Sequence, residues 1–203
     1  TLVAEIAGEV MPDEGIIRLA GEDVTRVPVH GRSARGLARS FQVTSIFLEL
    51  SALDNVALAV QAHAGSSFRF WRPVRAERAL RESACAMLDE VGLGSRADVV
   101  AASLSHGEQR QLELAMALAT RPRLLLLDEP MAGMGREESG RMVALLRRLR
   151  GERTMLLVEH DMDAVWALAD RVSVLVYGKV IASGTPDVIR AHPEVLRAYL
   201  GDD

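Results

Sequence analysis

The chain has 203 residues and a mass of 22.1 kDa, enough for one large domain with its own core. Formal net charge is −4, the pI is about 5.8, and no cluster of five or more basic residues occurs, which argues against a nucleic-acid binder held by a basic face. No apolar stretch nears the ~18 residues of a membrane span and no signal-peptide pattern opens the sequence given, so association with a membrane is expected to go through partners.

Residues 1 to about 42 combine a helix with short strands around Ile16 to Leu19, interrupted by Gly21, Gly31 and Gly36. Helices then take over. Ser51-Ala52-Leu53-Asp54 is a cap for a segment through Gln61. Gly65 to Pro73 holds Phe68, Phe70 and Trp71 beside Arg69 and Arg72; it reads as an irregular loop whose rings pack on helices rather than as a stacking platform for nucleic acid. Arg75 to Val91 is an amphipathic helix with Leu80, Ala84, Leu88 and Val91 on one face, closed by Gly92. Cys85, the single cysteine, cannot form an internal disulfide and is expected to be a small core residue of that helix.

Leu104-Ser105-His106-Gly107-Glu108-Gln109 precedes a helical pattern in which Leu112, Ala115, Met116 and Ala119 recur at three- and four-residue spacing. Ser105 followed three residues later by Glu108 fits a capping box. The box explains the serine and the glutamate but not Gly107, whose missing Cβ lets backbone approach a ligand closely. A helix start also presents unpaired N–H groups to an anion, so cap and phosphate site can share one place.

Leu124 to Leu127, bounded by Pro122 and Pro130, is too short for a helix and reads as a strand buried on both faces, as in a parallel sheet. It delivers Asp128 and Glu129 to its end, where alternation points the two carboxylates opposite ways, one suited to Mg²⁺ and the other to a water. Met131 to Gly135 leads into a helix with Met142, Leu145, Leu146 and Leu149 at helical spacing. Thr154 to Val158 is a second buried-strand candidate ending in Glu159-His160-Asp161, and in open α/β sheets ligands collect at the carboxyl ends of strands. Arg171 to Tyr177 and Val180 to Ser183 read as a hairpin around Gly178-Lys179, after which Thr185-Pro186 caps and opens a short terminal helix.

Together these pieces resemble the ATP-binding cassette (ABC) ATPase family. Leu104 to Gln109 is similar to its signature loop, Leu-Ser-Gly-Gly-Gln, with His106 replacing the first glycine. Leu124 to Glu129 resembles its Walker B strand, His160 its switch histidine, and Gln42, in Arg39-Ser40-Phe41-Gln42, its glutamine loop. The resemblance implies an α/β fold: a P-loop NTPase core of ABC type over residues 1–203, with an inserted helical subdomain at 45–118 and a small antiparallel β portion. The family's Gly-x-x-x-x-Gly-Lys-Ser/Thr phosphate loop is not found, since the only lysine, Lys179, lies in the hairpin turn. Thr1 to Gly8 resembles the family's helix entry just past that loop's lysine, so Thr1 is expected to be the loop's last remnant, with the domain N-terminally incomplete. As written, the chain is then expected to bind ATP poorly and to leave apolar surface and backbone groups of the sheet uncovered. The aspartate usual in the family's D-loop is replaced by Gly135.

The chemistry implied by the resemblance is specific. Glu129 is the general base for in-line attack on the γ-phosphate of ATP, Asp128 holds Mg²⁺ through water with Gln42 on the same ion, and His160 holds the γ-phosphate. Ser105, Gly107 and Glu108 close over ATP bound by a facing subunit in a head-to-tail dimer. The ending Gly184 to Arg190 and Pro193 to Gly201 resembles the ATPases of branched-chain amino-acid importers, with urea-type importers and the lipopolysaccharide-export ATPase as near relatives. The partners implied are a second ATPase subunit, two transmembrane permease subunits docking near the segment after Gln42, and an extracytoplasmic solute-binding protein, with no nucleic acid. Such a subunit sits peripherally on the cytoplasmic face of the cell membrane. Two other classes stay open: a non-transport ABC ATPase of DNA repair or translation, expected to carry long coiled-coil insertions or two cassettes, and a catalytically inactive interaction module.

Overall fold

The computed structural model describes residues 1–40, 45–63 and 78–200, and the chain divides into two compact units, 1–158 and 159–203. In the first unit, α1 (Leu2–Ala7) is closed by Gly8 at φ 86, a left-handed conformation that costs glycine little, and the Gly8 N–H bonds to the carbonyls of Ala4 and Glu5. The antiparallel pair β1 (Arg18–Leu19) and β2 (Glu22–Asp23) comes next, then α2 (Val29–Ala34) and β3 (Leu37–Arg39). Gly31, expected to interrupt structure, lies inside α2. From α2 the fully buried Arg32 donates to the carbonyls of Glu5 and Ile6 at 2.6 and 2.7 Å, and to those of Val27 and Thr25 at 2.8 and 2.9 Å. Helix ends leave carbonyls unpaired and carry the negative end of the dipole, so a guanidinium fastens the end of α1 there.

β3, β4 (Leu124–Asp128) and β5 (Thr154–Val158) form a parallel sheet with β4 in the middle; Arg39 faces Leu126 in register, and Asp128 faces Val158. The leucine run of β4 is buried as expected: Leu125 and Leu126 are wholly covered, and Val3 and Ala7 of α1 pack on Leu126. β5 departs from the expectation of a strand buried on both faces. Leu156 is 37% exposed and Val158 36%, and exposure alternates along the strand with Met155 and Leu157 half-buried, so one face of β5 lies open; among the described strands it pairs only with β4.

The helices begin at α3 (Ala52–His63), where the Ser51 hydroxyl accepts the Asp54 N–H at 3.0 Å, the cap its sequence announces. α4 (Arg78–Glu90) buries Leu80, Ala84 and Leu88 and stops at Val91-Gly92. Cys85 is exposed, against expectation: one residue past Ala84 the helix has turned it off the buried stripe. α5 (His106–Ala119) packs on α3 and α4, and Gln111 Nε2 donates to the Val91 carbonyl at 3.1 Å. α6 (Arg136–Leu149) buries Met142, Leu145, Leu146 and Leu149. The loop at 65–73 and residues 75–77 lie outside the described residues.

In the second unit, α7 (Met162–Leu168) leads to the antiparallel pair β6 (Val172–Val176) and β7 (Lys179–Gly184), then α8 (Pro186–Arg190) and α9 (Pro193–Leu200). Val174, Ala182, Ile189 and Val195 form its core. Lys179 opens β7 opposite Val176, the hairpin position read from sequence. Thr185 sits at the N-cap of α8 with Pro186 following, but its side chain makes no cap bond.

Candidate functional site

Regular strand geometry ends at Asp128. Glu129 turns to φ 47 while its N–H bonds to the Val158 carbonyl at 2.9 Å, so the alternation expected to separate the two carboxylates is replaced by a left-handed kink. That conformation is sparsely populated for a residue with a side chain and marks a position held by its surroundings. Asp128 stays on the strand, where Arg39 Nη2 donates to its Oδ2 at 3.3 Å. The same guanidinium pairs with Glu9, just past the end of α1. Arg39 thus ties α1, β3 and β4 together at the carboxyl end of the sheet. Both Arg39 and Asp128 are largely covered, which strengthens the pair relative to one in open solvent.

The start of α5 is built as its sequence announces. Ser105 Oγ accepts the Glu108 N–H at 3.2 Å and Glu108 Oε2 accepts the Ser105 N–H at 2.8 Å, a complete capping box. Arg96 holds the other Glu108 oxygen at 3.1 Å. Gly107 is the site of a close approach, and the group that approaches is Glu138 from the first turn of α6: a Cβ on Gly107 would lie 2.7 Å from Glu138 Oε1. That same oxygen accepts the Ser105 hydroxyl at 3.1 Å. Gly133, in the loop between Glu129 and α6, runs past the His106 ring, where a Cβ would stand 3.3 Å from it. The loop leaving the carboxylates therefore touches the start of α5.

His160 belongs to the second unit and is exposed. The Glu159 carboxylate accepts its N–H at 3.2 Å, and Asp161 caps α7 by accepting the N–H groups of Asp163 and Ala164. Thr1 is the exposed N-cap of α1, its carbonyl accepting the Glu5 N–H at 3.0 Å with no side-chain bond. Gln42 lies outside the described residues. Asp128 offers a hard oxygen donor, and no group of three or more His, Cys, Asp or Glu able to hold a metal occurs among the described residues. Asp128 is a single carboxylate donor, and Mg²⁺ takes one or two carboxylates and fills the rest of its shell with water and phosphate oxygens.

Sequence reading missed Arg39 and Glu138. Arg39 stands inside the motif that contains Gln42, but its partner Asp128 is 89 residues away. Glu138 looks like any acid in a helix's first turn, and nothing local announces that a second helix start lies against it.

Residues 1–132 match the family model described as ABC transporter, and residues 179–203 match one described as branched-chain amino acid ATP-binding cassette transporter. The chain is 40% identical to the high-affinity branched-chain amino acid transport ATP-binding protein BraF of Pseudomonas aeruginosa, covering 97% of this chain and 80% of that protein. It is 34% identical to the high-affinity branched-chain amino acid transport ATP-binding protein LivG of Escherichia coli over the same shares, 97% and 80%. The Fe(3+) ions import ATP-binding protein FbpC of Streptomyces avermitilis is 39% identical over 100% of this chain and 56% of its own length. The crystal structure of the ADP conformation of MJ1267, an ATP-binding cassette of an ABC transporter, matches with a TM-score of 0.83 at 25% identity, over 99% of this chain and 82% of that one.

Proposed function

The chain belongs to the ABC transporter family of ATP-binding proteins, and from that premise we propose that it is the ATP-hydrolysing subunit of an importer of branched-chain amino acids. The observation that carries the chemistry is the end of β4, a strand with Leu125, Leu126 and Leu127 buried that presents Asp128 and then, through a left-handed kink, Glu129. A carboxylate held in one place can take a proton from water without first paying to be oriented. Glu129 is that base. Asp128 and Gln42 hold Mg²⁺, which when bound neutralises charge on the phosphates. His160 steadies the γ-phosphate and the attacking water, and Thr1 lies at the phosphate end of α1. Ser105, Gly107 and Glu108, at the start of α5, meet nucleotide bound by a facing subunit, so that ATP joins two chains and hydrolysis releases them.

Residues 1–203 act in this scheme as one ATPase domain, with 45–118, including α3, α4 and α5, as its inserted helical part. Its partners are a second ATPase subunit, two permease subunits and an extracytoplasmic solute-binding protein, and it works on the cytoplasmic face of the membrane. No helix among the described residues is long and apolar enough to cross a bilayer. Identity alone does not choose the solute, since the iron-import relative stands at 39% beside 40% for BraF. The match at residues 179–203 favours branched-chain amino acids over iron, urea or lipopolysaccharide.

The test uses the full reading frame that contains these residues, purified and assayed with MgATP. Glu129→Gln is expected to keep nucleotide binding, accumulate an ATP-bound dimer and slow hydrolysis by about 10² or more. A turnover rate within about twofold of the parent would remove Glu129 from the role of base.

A further inference from the structure

A serine hydroxyl has one proton to donate. In this fold the proton of Ser105 goes to Glu138 Oε1 at 3.1 Å, while the oxygen accepts from Glu108 N–H. A phosphate oxygen that is to receive a hydrogen bond from Ser105 must therefore take it from Glu138. The same carboxylate crowds Gly107, where even a methyl group would stand 2.7 Å from it. One acidic side chain thus blocks both ligand-facing groups at the start of α5.

We propose that Glu138 is a built-in competitor for phosphate at this helix start, occupying the Ser105 hydroxyl and the Gly107 backbone until the phosphate of a facing nucleotide displaces it. The proposal rests on the reading of Ser105, Gly107 and Glu108 as a nucleotide contact and adds the residue that sets its affinity. Glu138 is well made for the task. It is the third residue of α6, and its carboxyl is held below the ordinary carboxylate range, first by the Ser105 hydroxyl, then by the backbone N–H groups of Gly135 and Gly107 and the charge of Arg141. It is therefore an anion at neutral pH, set between the starts of α5 and α6 where both dipoles favour negative charge. Phosphate carries more charge and more acceptor oxygens, so it can win the same donors.

The displaced carboxylate also has somewhere to go. A cavity of about 460 Å³ is bordered by Ser105, Gly107, Glu138 and Arg141. Arg141, one turn further along α6, now pairs with Glu137 at 2.8 Å and offers Glu138 a cation once Ser105 is given up. Because α6 is joined to Glu129 by the short loop 131–135, a switch of Glu138 would be felt by the chain that leaves the base.

The test is titration of inorganic phosphate into the 203-residue chain, following the Gly107 and Glu108 amide signals by NMR, in the parent and in Glu138→Ala and Glu138→Gln. Expected is binding at least about tenfold tighter in Glu138→Ala, with Glu138→Gln between the two because it loses the charge but keeps an acceptor for Ser105. The glutamine variant preserves side-chain volume, so a folding defect in the alanine variant leaves the comparison intact. Equal affinity in all three, or weaker binding in the variants, overturns the proposal. If phosphate moves the Gly107 amide equally in all three, the nucleotide reading of α5 stands and only the competitor falls; no movement in any of them counts against both.

Discussion

β4 and β5 lie side by side with similar sequences, Leu124-Leu125-Leu126-Leu127-Asp128 against Thr154-Met155-Leu156-Leu157-Val158, and only the first is buried as its composition predicts. Leu126 and Leu156 face each other in register, one fully covered and the other 37% exposed. The difference comes from what covers the faces: α1 packs on Leu126, whereas exposure alternates along β5 and leaves the face that carries Leu156 open among the described residues. The same contrast appears at two helix starts. Ser105 and Thr185 are both N-cap residues, yet only Ser105 makes the side-chain bond. Local pattern sets what a residue can do, and the tertiary partner decides whether it does.

The strand contrast yields the largest expected effect. Leu126→Ala should cost about 3 kcal/mol of unfolding free energy, with transfer and cavity terms both present, whereas Leu156→Ala should cost about 1 kcal/mol or less, since much of that side chain already meets solvent. Chemical denaturation of the two variants measures this; equal losses would mean that β5 is covered in solution as fully as β4.

At the helix starts the effects are smaller. Ser105→Ala removes a cap and should destabilise by about 1 kcal/mol; Thr185→Ala, with no side-chain bond to lose, should change stability by no more than about 0.3 kcal/mol. A Thr185 loss as large as that of Ser105 would show a cap bond that the fold here lacks.

Smallest is a pH effect at Glu138. Its folded pKa lies below the ordinary glutamate range, so the contact contributes fully above that range and is lost as pH falls through the lowered folded value. A carboxyl ¹³C titration should find the midpoint on the acid side of an ordinary glutamate and, in Ser105→Ala, moved back up. A midpoint that Ser105→Ala leaves in place would assign the depression to the backbone donors of Gly135 and Gly107 instead.

Much of the candidate site was legible because its pieces are short and local. The capping box at Ser105 and Glu108 spans four residues, and the strand of leucines that ends in Asp128 spans five, so hydrogen bonding and burial follow from adjacent letters. Glu129 was legible as a carboxylate at the end of β4, but not as a residue in left-handed backbone, since nothing in Asp128-Glu129-Pro130 requires a positive φ. Cys85 misled because its neighbours set the helical period, and a step of one residue moved it off the buried face. Arg32 was invisible for the opposite reason: arginine signals solvent, and here four backbone carbonyls take its place.

The amino-acid sequence by itself determined the strand β4 with the carboxylates at its end, the capped starts of α3 and α5 and the buried stripe of α4, because each follows from periodicity, capping and turn chemistry over a few residues. Only the tertiary structure decided that Arg39 pairs with Asp128, that β5 has a single partner among the described strands and that Glu138 holds Ser105. Those contacts join residues separated by dozens of positions, and charge or apolarity at such a distance names no partner until packing supplies one.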